Sequence, residues 1–161
     1  MCIRDRHLRC LDIEVLLERV RPFLEKHGMI VEDGYLRDVC FLVHDRLQHA
    51  QDLVTHFSYC FVDPITFDPV GIRKRWKSDA ASLVGDYAAR LDALKSFNEE
   101  TLEFELRDLT ASRKVGAGRI IHPVRLAVSG TTAGPGLFAL LRVLGQRTCV
   151  RRLKNAVTKL G

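Results

Sequence analysis

Apolar residues recur at intervals of three and four along nearly the whole chain, the spacing of helices with one buried face, and this leaves few folds open. Ile13, Leu16, Leu17, Val20 and Leu24 form the first stripe, with Asp12 placed to cap it and Gly28 to stop it. Pro22 either kinks that helix or sits in the first turn of a second one. Asp33 is placed to cap the next helix, on which Leu36, Val39, Cys40, Val43 and Leu47 share a face. A short basic helix over 70–77 carries the only tryptophan, Trp76. Ser78 then opens an amphipathic helix through Ala81, Val84, Tyr87, Ala88, Leu91 and Leu94. Asn98 opens another, with Glu99 and Glu100 at its positive end and Leu102, Leu106 and Leu109 on its apolar face. Pro135 fits a helix first turn, Gly145 closes that helix, and Cys149, Leu153, Ala156 and Leu160 line the last one, with Arg147, Arg151, Arg152, Lys154 and Lys159 on its wet side.

Only Phe57, Tyr59 and Phe61 alternate as a strand would. No second alternating run exists to pair with them, so the segment reads as a helix end. The stretch 119–129 is ambiguous by pattern alone. Pro64 and Pro69 bracket a connector, 63–68, that is the one credible seam. The fold class is all-α.

At 161 residues and 47% hydrophobic, the chain has ample material for a core, which excludes a disordered polyelectrolyte. Apolar runs such as 39–43 and 137–141 are far too short to span a membrane. The first six residues are not followed by an apolar signal core, and five scattered cysteines (Cys2, Cys10, Cys40, Cys60, Cys149) suggest no secreted disulfide framework. The expectation is a cytoplasmic protein. The net charge of +5 conceals a polarity: from Thr110 onward there are ten Lys or Arg and no Asp or Glu, whereas the first 109 residues hold 15 bases and 20 acids. Such a tail attracts a polyanion, and 18 of the 25 bases are arginines, whose planar fork suits phosphates and base edges.

Complete catalytic constellations are missing. Gly116-Ala-Gly118 lacks the third glycine and the preceding strand of a dinucleotide loop, and no Gly-x-Ser-x-Gly elbow occurs. Cys149 falls on an apolar stripe, where cysteine acts as a small hydrophobe. Cys40-x3-His44 and His56-x3-Cys60 have a spacing that could hold zinc, but Cys40 continues a core face, and two core cysteines beside two partly exposed histidines is the preferred reading. The acid-free stretch Ser129-Gly-Thr-Thr-Ala-Gly-Pro-Gly136 is either a tight turn or a loop presenting amides and hydroxyls to phosphate or unstacked bases.

His122-Pro-Val-Arg125-Leu-Ala-Val-Ser-Gly130, then Gly134-Pro-Gly-Leu-Phe138, Leu144-Gly145 and Val150-Arg-Arg-Leu153 resemble, in order and spacing, the end of bacterial glutamyl-tRNA synthetases, with their Gln-Pro-Leu-Arg-x-Ala-Leu-Thr-Gly, Pro-Gly-Leu-Phe and closing Arg-Arg-Leu helix. The resemblance runs from about residue 9 to residue 161. It implies an anticodon-binding helical cage of two small subdomains, 9–66 and 67–161, binding glutamate-specific tRNA as a monomer. It further implies that the ATP- and magnesium-using catalytic domain of this class I ligase lies outside the chain, which alone would bind no cofactor or metal and carry no catalytic residue. Residues 1–8 read as a non-native or linker start, Met1 to Asp5 resembling a translated adapter scar.

Carried over by motif, the family's base-reading arginine falls on Arg125 and its anticodon-touching loop on Gly134, Pro135 and Leu137. A further arginine, which in the family favours C as first anticodon base and accompanies discriminating enzymes, falls on Arg46. His122 replaces the usual glutamine, and Gly134 stands where some members carry Thr or Ser, so a hydroxyl contact there is lost while backbone contacts remain. Two other classes stay open on the residues alone: a helix-turn-helix regulator with 147–159 as recognition helix, and a protein-interaction bundle.

Overall fold

A computed structural model describes residues 12–161; the proposed non-native start at 1–8, Cys2 and Cys10 lie outside the described residues. Every regular element among the described residues is helical. The chain forms two compact units that part between Val62 and Asp63, so the connector 63–68 lies in the second.

In the first unit, α1 (Ile13–Lys26) and α2 (Asp33–Val43) pack as a pair. Leu16, Leu17, Val20 and Leu24 meet Leu36, Val39, Cys40 and Val43 in its core. Arg21–Asp33 (2.5 Å) and Arg37–Glu14 (2.7 Å) tie the same two helices at the surface. Pro22 sits inside α1 and starts no second helix. Glu32, not Asp33, caps α2: the backbone is still extended at Glu32, whose carboxylate accepts the Gly34 N–H, while Asp33 is already helical. The helix gives way at His44–Arg46 to a 3-10 turn, so Leu47 joins the core from beyond the helix. After α3 (Asp52–Thr55), a second 3-10 turn at Ser58–Cys60 occupies the aromatic stretch, a helical turn where alternation alone suggested a strand.

The second unit comprises α4 (Pro69–Arg75), α5 (Ala80–Ala93), α6 (Glu99–Arg113), α7 (Gly118–Ser129), α8 (Leu137–Leu144) and α9 (Gln146–Leu160). The α5–α9 pair is the most extensive, and α7 packs against α4, α5 and α9. Tyr87, fully buried on α5, donates its hydroxyl to the Leu102 carbonyl of α6 at 2.9 Å. Asn98 caps α6 in a reciprocal box with Thr101, as its position predicted. Ser78 does not cap α5, because a turn closed by Ala80 N–H on Lys77 O delays the helix and leaves Asp79 at the cap. Pro135 precedes the first turn of α8 by two residues; Gly136 takes the cap position. Gly145, at φ +85°, both closes α8 and opens α9. From that opening the Gln146 amide donates to the carbonyls of Leu91 (2.7 Å) and Leu94 (2.9 Å), satisfying the end of α5.

Arg152 departs most from expectation. It is 3% exposed, three residues from Cys149 and four from Ala156, hence on the buried stripe of α9. Its guanidinium donates to Asp63 (2.8 Å) and to the Val128 carbonyl (2.7 Å), which supplies the partners a buried charge requires.

Candidate nucleic-acid interface

The loop between α7 and α8 is built around Arg125 and Ser129. The Arg125 guanidinium donates to the Pro135 carbonyl at 2.7 Å, joining the helix to the far end of the loop. The Ser129 hydroxyl donates to the Arg125 carbonyl (2.7 Å), and the Thr131 hydroxyl donates to Ala133 O (2.9 Å). Gly130 makes the sharp exit: its φ is +75°, and a Cβ there would stand 2.8 Å from the Thr66 carbonyl oxygen. The Gly130 carbonyl in turn accepts the Asp68 N–H at 2.9 Å, so connector and loop brace each other. Three of the sequence-designated residues thus converge: Arg125 is half-buried, and Gly134 and Pro135 lie in the loop it holds.

The side chains of Pro135 and Leu137 are buried, Leu137 as the first residue of α8. What the loop presents outward is Thr131, Thr132, Ala133 and Gly136. The two threonines were missed as individuals, although the Gly/Thr richness of the stretch was their signal. Arg46 ends the 3-10 turn of the first unit and is exposed. That turn is set by neighbours on both sides: Leu47 is fully buried, and the Asp52 carboxylate accepts the N–H groups of Gln48 (2.9 Å) and His49 (2.8 Å). Asp52, itself buried, had no sequence signal beyond being an acid at the start of a short helix.

Charge is distributed differently from its distribution along the chain. Six cations of the acid-free tail are paired within the second unit: Arg113 with Asp86, Arg119 with Asp79, Arg142 with Glu99, Arg151 and Arg152 with Asp63, and Lys154 with Asp92. Hydrogen bonding from Arg151 first, with Arg152 adding to it, lowers the Asp63 carboxyl to about 2. His122, on α7 one turn before Arg125, is held below its ordinary value by burial and then by the charges of Arg75 and Arg125.

Burial pushes the Cys40 and Cys149 thiols up to about 12, far from a reactive thiolate. Among the described residues no three His, Cys, Asp or Glu side chains gather as a metal site. No strand-borne phosphate loop is present among them either.

A family model described as an anticodon binding domain matches residues 15–157. A glutamate–tRNA ligase of Chloroherpeton thalassium is 34% identical over 98% of this chain and 33% of its own length. That of Moorella thermoacetica is 32% identical over 96% and 33%. A crystal structure of a glutamate tRNA ligase from Elizabethkingia meningosepticum, in complex with its amino acid, superposes with a TM-score of 0.90 at 22% identity, covering 98% of this chain and 31% of that one. The chain therefore spans about a third of the length of the curated relatives it matches. With residues 15–157, nearly all of the described chain, inside the family match, the chain belongs to the anticodon binding domain family.

Proposed function

We propose that this chain recognises the anticodon of glutamate tRNA on behalf of a glutamate–tRNA ligase, working in the cytoplasm as a monomer with tRNA as its partner. Glutamate activation, with its ATP and magnesium, is assigned to the remaining two thirds represented in the relatives. The observation that carries the reading is the 2.7 Å bond from Arg125 to the Pro135 carbonyl, which unites the two best-anchored motifs in one place.

A guanidinium held against the loop is aimed rather than swinging, and an aimed fork can donate hydrogen bonds to the edge of an unstacked base. Two such bonds to one base are worth about 1–3 kcal/mol of discrimination. The exposed Thr131, Thr132 and Gly136 supply hydroxyl and backbone groups beside it, while buried Pro135 and Leu137 hold the loop's shape. Arg46, exposed on its braced turn, is assigned the first anticodon base. The C preference that goes with arginine there makes this a discriminating reader.

Titrating glutamate tRNA against the same tRNA with a swapped anticodon tests the reading. Arg125→Ala is expected to weaken cognate binding by about 10- to 100-fold and unrelated RNA far less. Equal losses would reduce Arg125 to a phosphate contact.

A further inference from the structure

The end of α4 and the start of α7 line an open groove of about 380 Å³, room for a sugar–phosphate unit. Lys74, Arg75, Lys77, Arg119 and His122 line it. Of the cations, Arg119 is committed to Asp79 at 2.5 Å, and the Lys77 ammonium donates to the Arg73 carbonyl at 3.1 Å. No described carboxylate pairs with Lys74 or Arg75, and both are exposed. Much of the tail's charge is paired within the unit, and this turn of α4, upstream of the tail, carries a dense cluster of positive charge. A helix C-terminus favours cations, yet three within four residues repel one another unless an anion sits among them.

The groove and the loop lie on the same pair of helices, the groove at the start of α7 and the loop after its end. Arg75, from α4, and Arg125, from α7, both act on the His122 imidazole, so one histidine lies within the fields of the groove and of the proposed base reader. Gly71 lets α4 lie close against α7 and the loop: a Cβ there would stand 2.6 Å from Thr132 Cγ2 and 3.2 Å from Leu126 Cδ1, so a larger residue would have to displace those side chains.

We propose that this groove seats backbone phosphates of the RNA whose unstacked base meets Arg125. The identity of that RNA rests on the anticodon reading, whereas the phosphate chemistry does not. Lys74, Arg75 and Lys77 act as sequence-blind point charges that hold the strand, and the Arg125 loop tests what the strand presents.

The test uses the full chain, the double variant Lys74→Ala/Lys77→Ala, and Lys74→Arg/Lys77→Arg as a charge-preserving control. Two RNA stem-loops are titrated across a salt series, one with the glutamate anticodon and one with that triplet scrambled. Losing two contacts to a single strand should flatten the plot of log affinity against log salt by about 1.4. Both RNAs should lose affinity by the same factor, and the arginine control should restore it. An unchanged slope overturns the proposal, as does a loss confined to the cognate stem-loop. Inorganic phosphate that displaces both RNAs at constant ionic strength would assign the groove to a free anion and also overturn it. If the unmodified chain fails to tell the stem-loops apart while the slope still flattens, the anticodon reading falls and the phosphate seat stands. Discrimination with an unmoved slope does the reverse.

Discussion

Asp63 is the residue on which two arginines of α9 converge, one exposed and one buried. Its carboxyl titrates near 2 in the folded chain, against about 3.9 for an unfolded aspartate. A depressed carboxyl contributes stability that is complete above the unfolded value and is lost as pH falls through the folded one. Urea unfolding should therefore show a loss between about pH 4 and pH 2 that Asp63→Asn lacks. At neutral pH that variant should be less stable by about 2 kcal/mol, a figure discounted because Asp63 is itself 40% exposed although Arg152 is not. A midpoint equal to the parent's at pH 7 would rule this out. The burial of Arg152 was legible in its spacing from Cys149 and Ala156. It was masked by its neighbours Arg147, Arg151, Lys154 and Lys159, which do line an exposed face. Periodicity says which face a residue occupies; it does not say that a carboxylate from 89 residues away will meet it there.

At the scale of elements, the helices were readable and their ends less so. The apolar stripes of α1, α2, α5, α6 and α9 face the core over most of their positions, with Ile13, Ala81, Leu94 and Leu160 only half-buried, and Asn98 made its cap. The misplaced starts share a cause: at Glu32, Asp79 and Gly136 a local turn or an extended residue shifts the first helical position by one or two, a tertiary choice invisible in the pattern. The α7–α8 loop was recognisable as unusual from its glycines and threonines, and the glycine at 130 has a geometric reason. Gly130→Ala would force a left-handed residue and bring a methyl to 2.8 Å from the Thr66 carbonyl. A loss of about 2 kcal/mol or more is expected in thermal or urea unfolding, with the connector shifting along with the loop. An unaltered melting curve would mean the loop yields where the packing says it should not.

For the whole molecule, class and family were open to reading from residues alone, because the helical period and the His122–Gly130 and Gly134–Phe138 motifs are local properties of the chain. The place of the charge was not. Residues 63–161 hold 17 bases and 10 acids, but pairing decides which of them an approaching polyanion feels. Raising the salt concentration should accordingly weaken binding to any RNA while leaving the ratio between cognate and scrambled stem-loops nearly constant, since ionic grip is screened and hydrogen-bonded discrimination is not. A ratio that collapsed together with affinity would place discrimination in the charges. The bond from Arg125 to the Pro135 carbonyl also limits engineering. On the proposed reading the instrument and its mounting are one piece, so exchanging position 125 alone to accept another triplet would slacken the segment it steers. Retuned versions would have to carry compensating changes within 130–136.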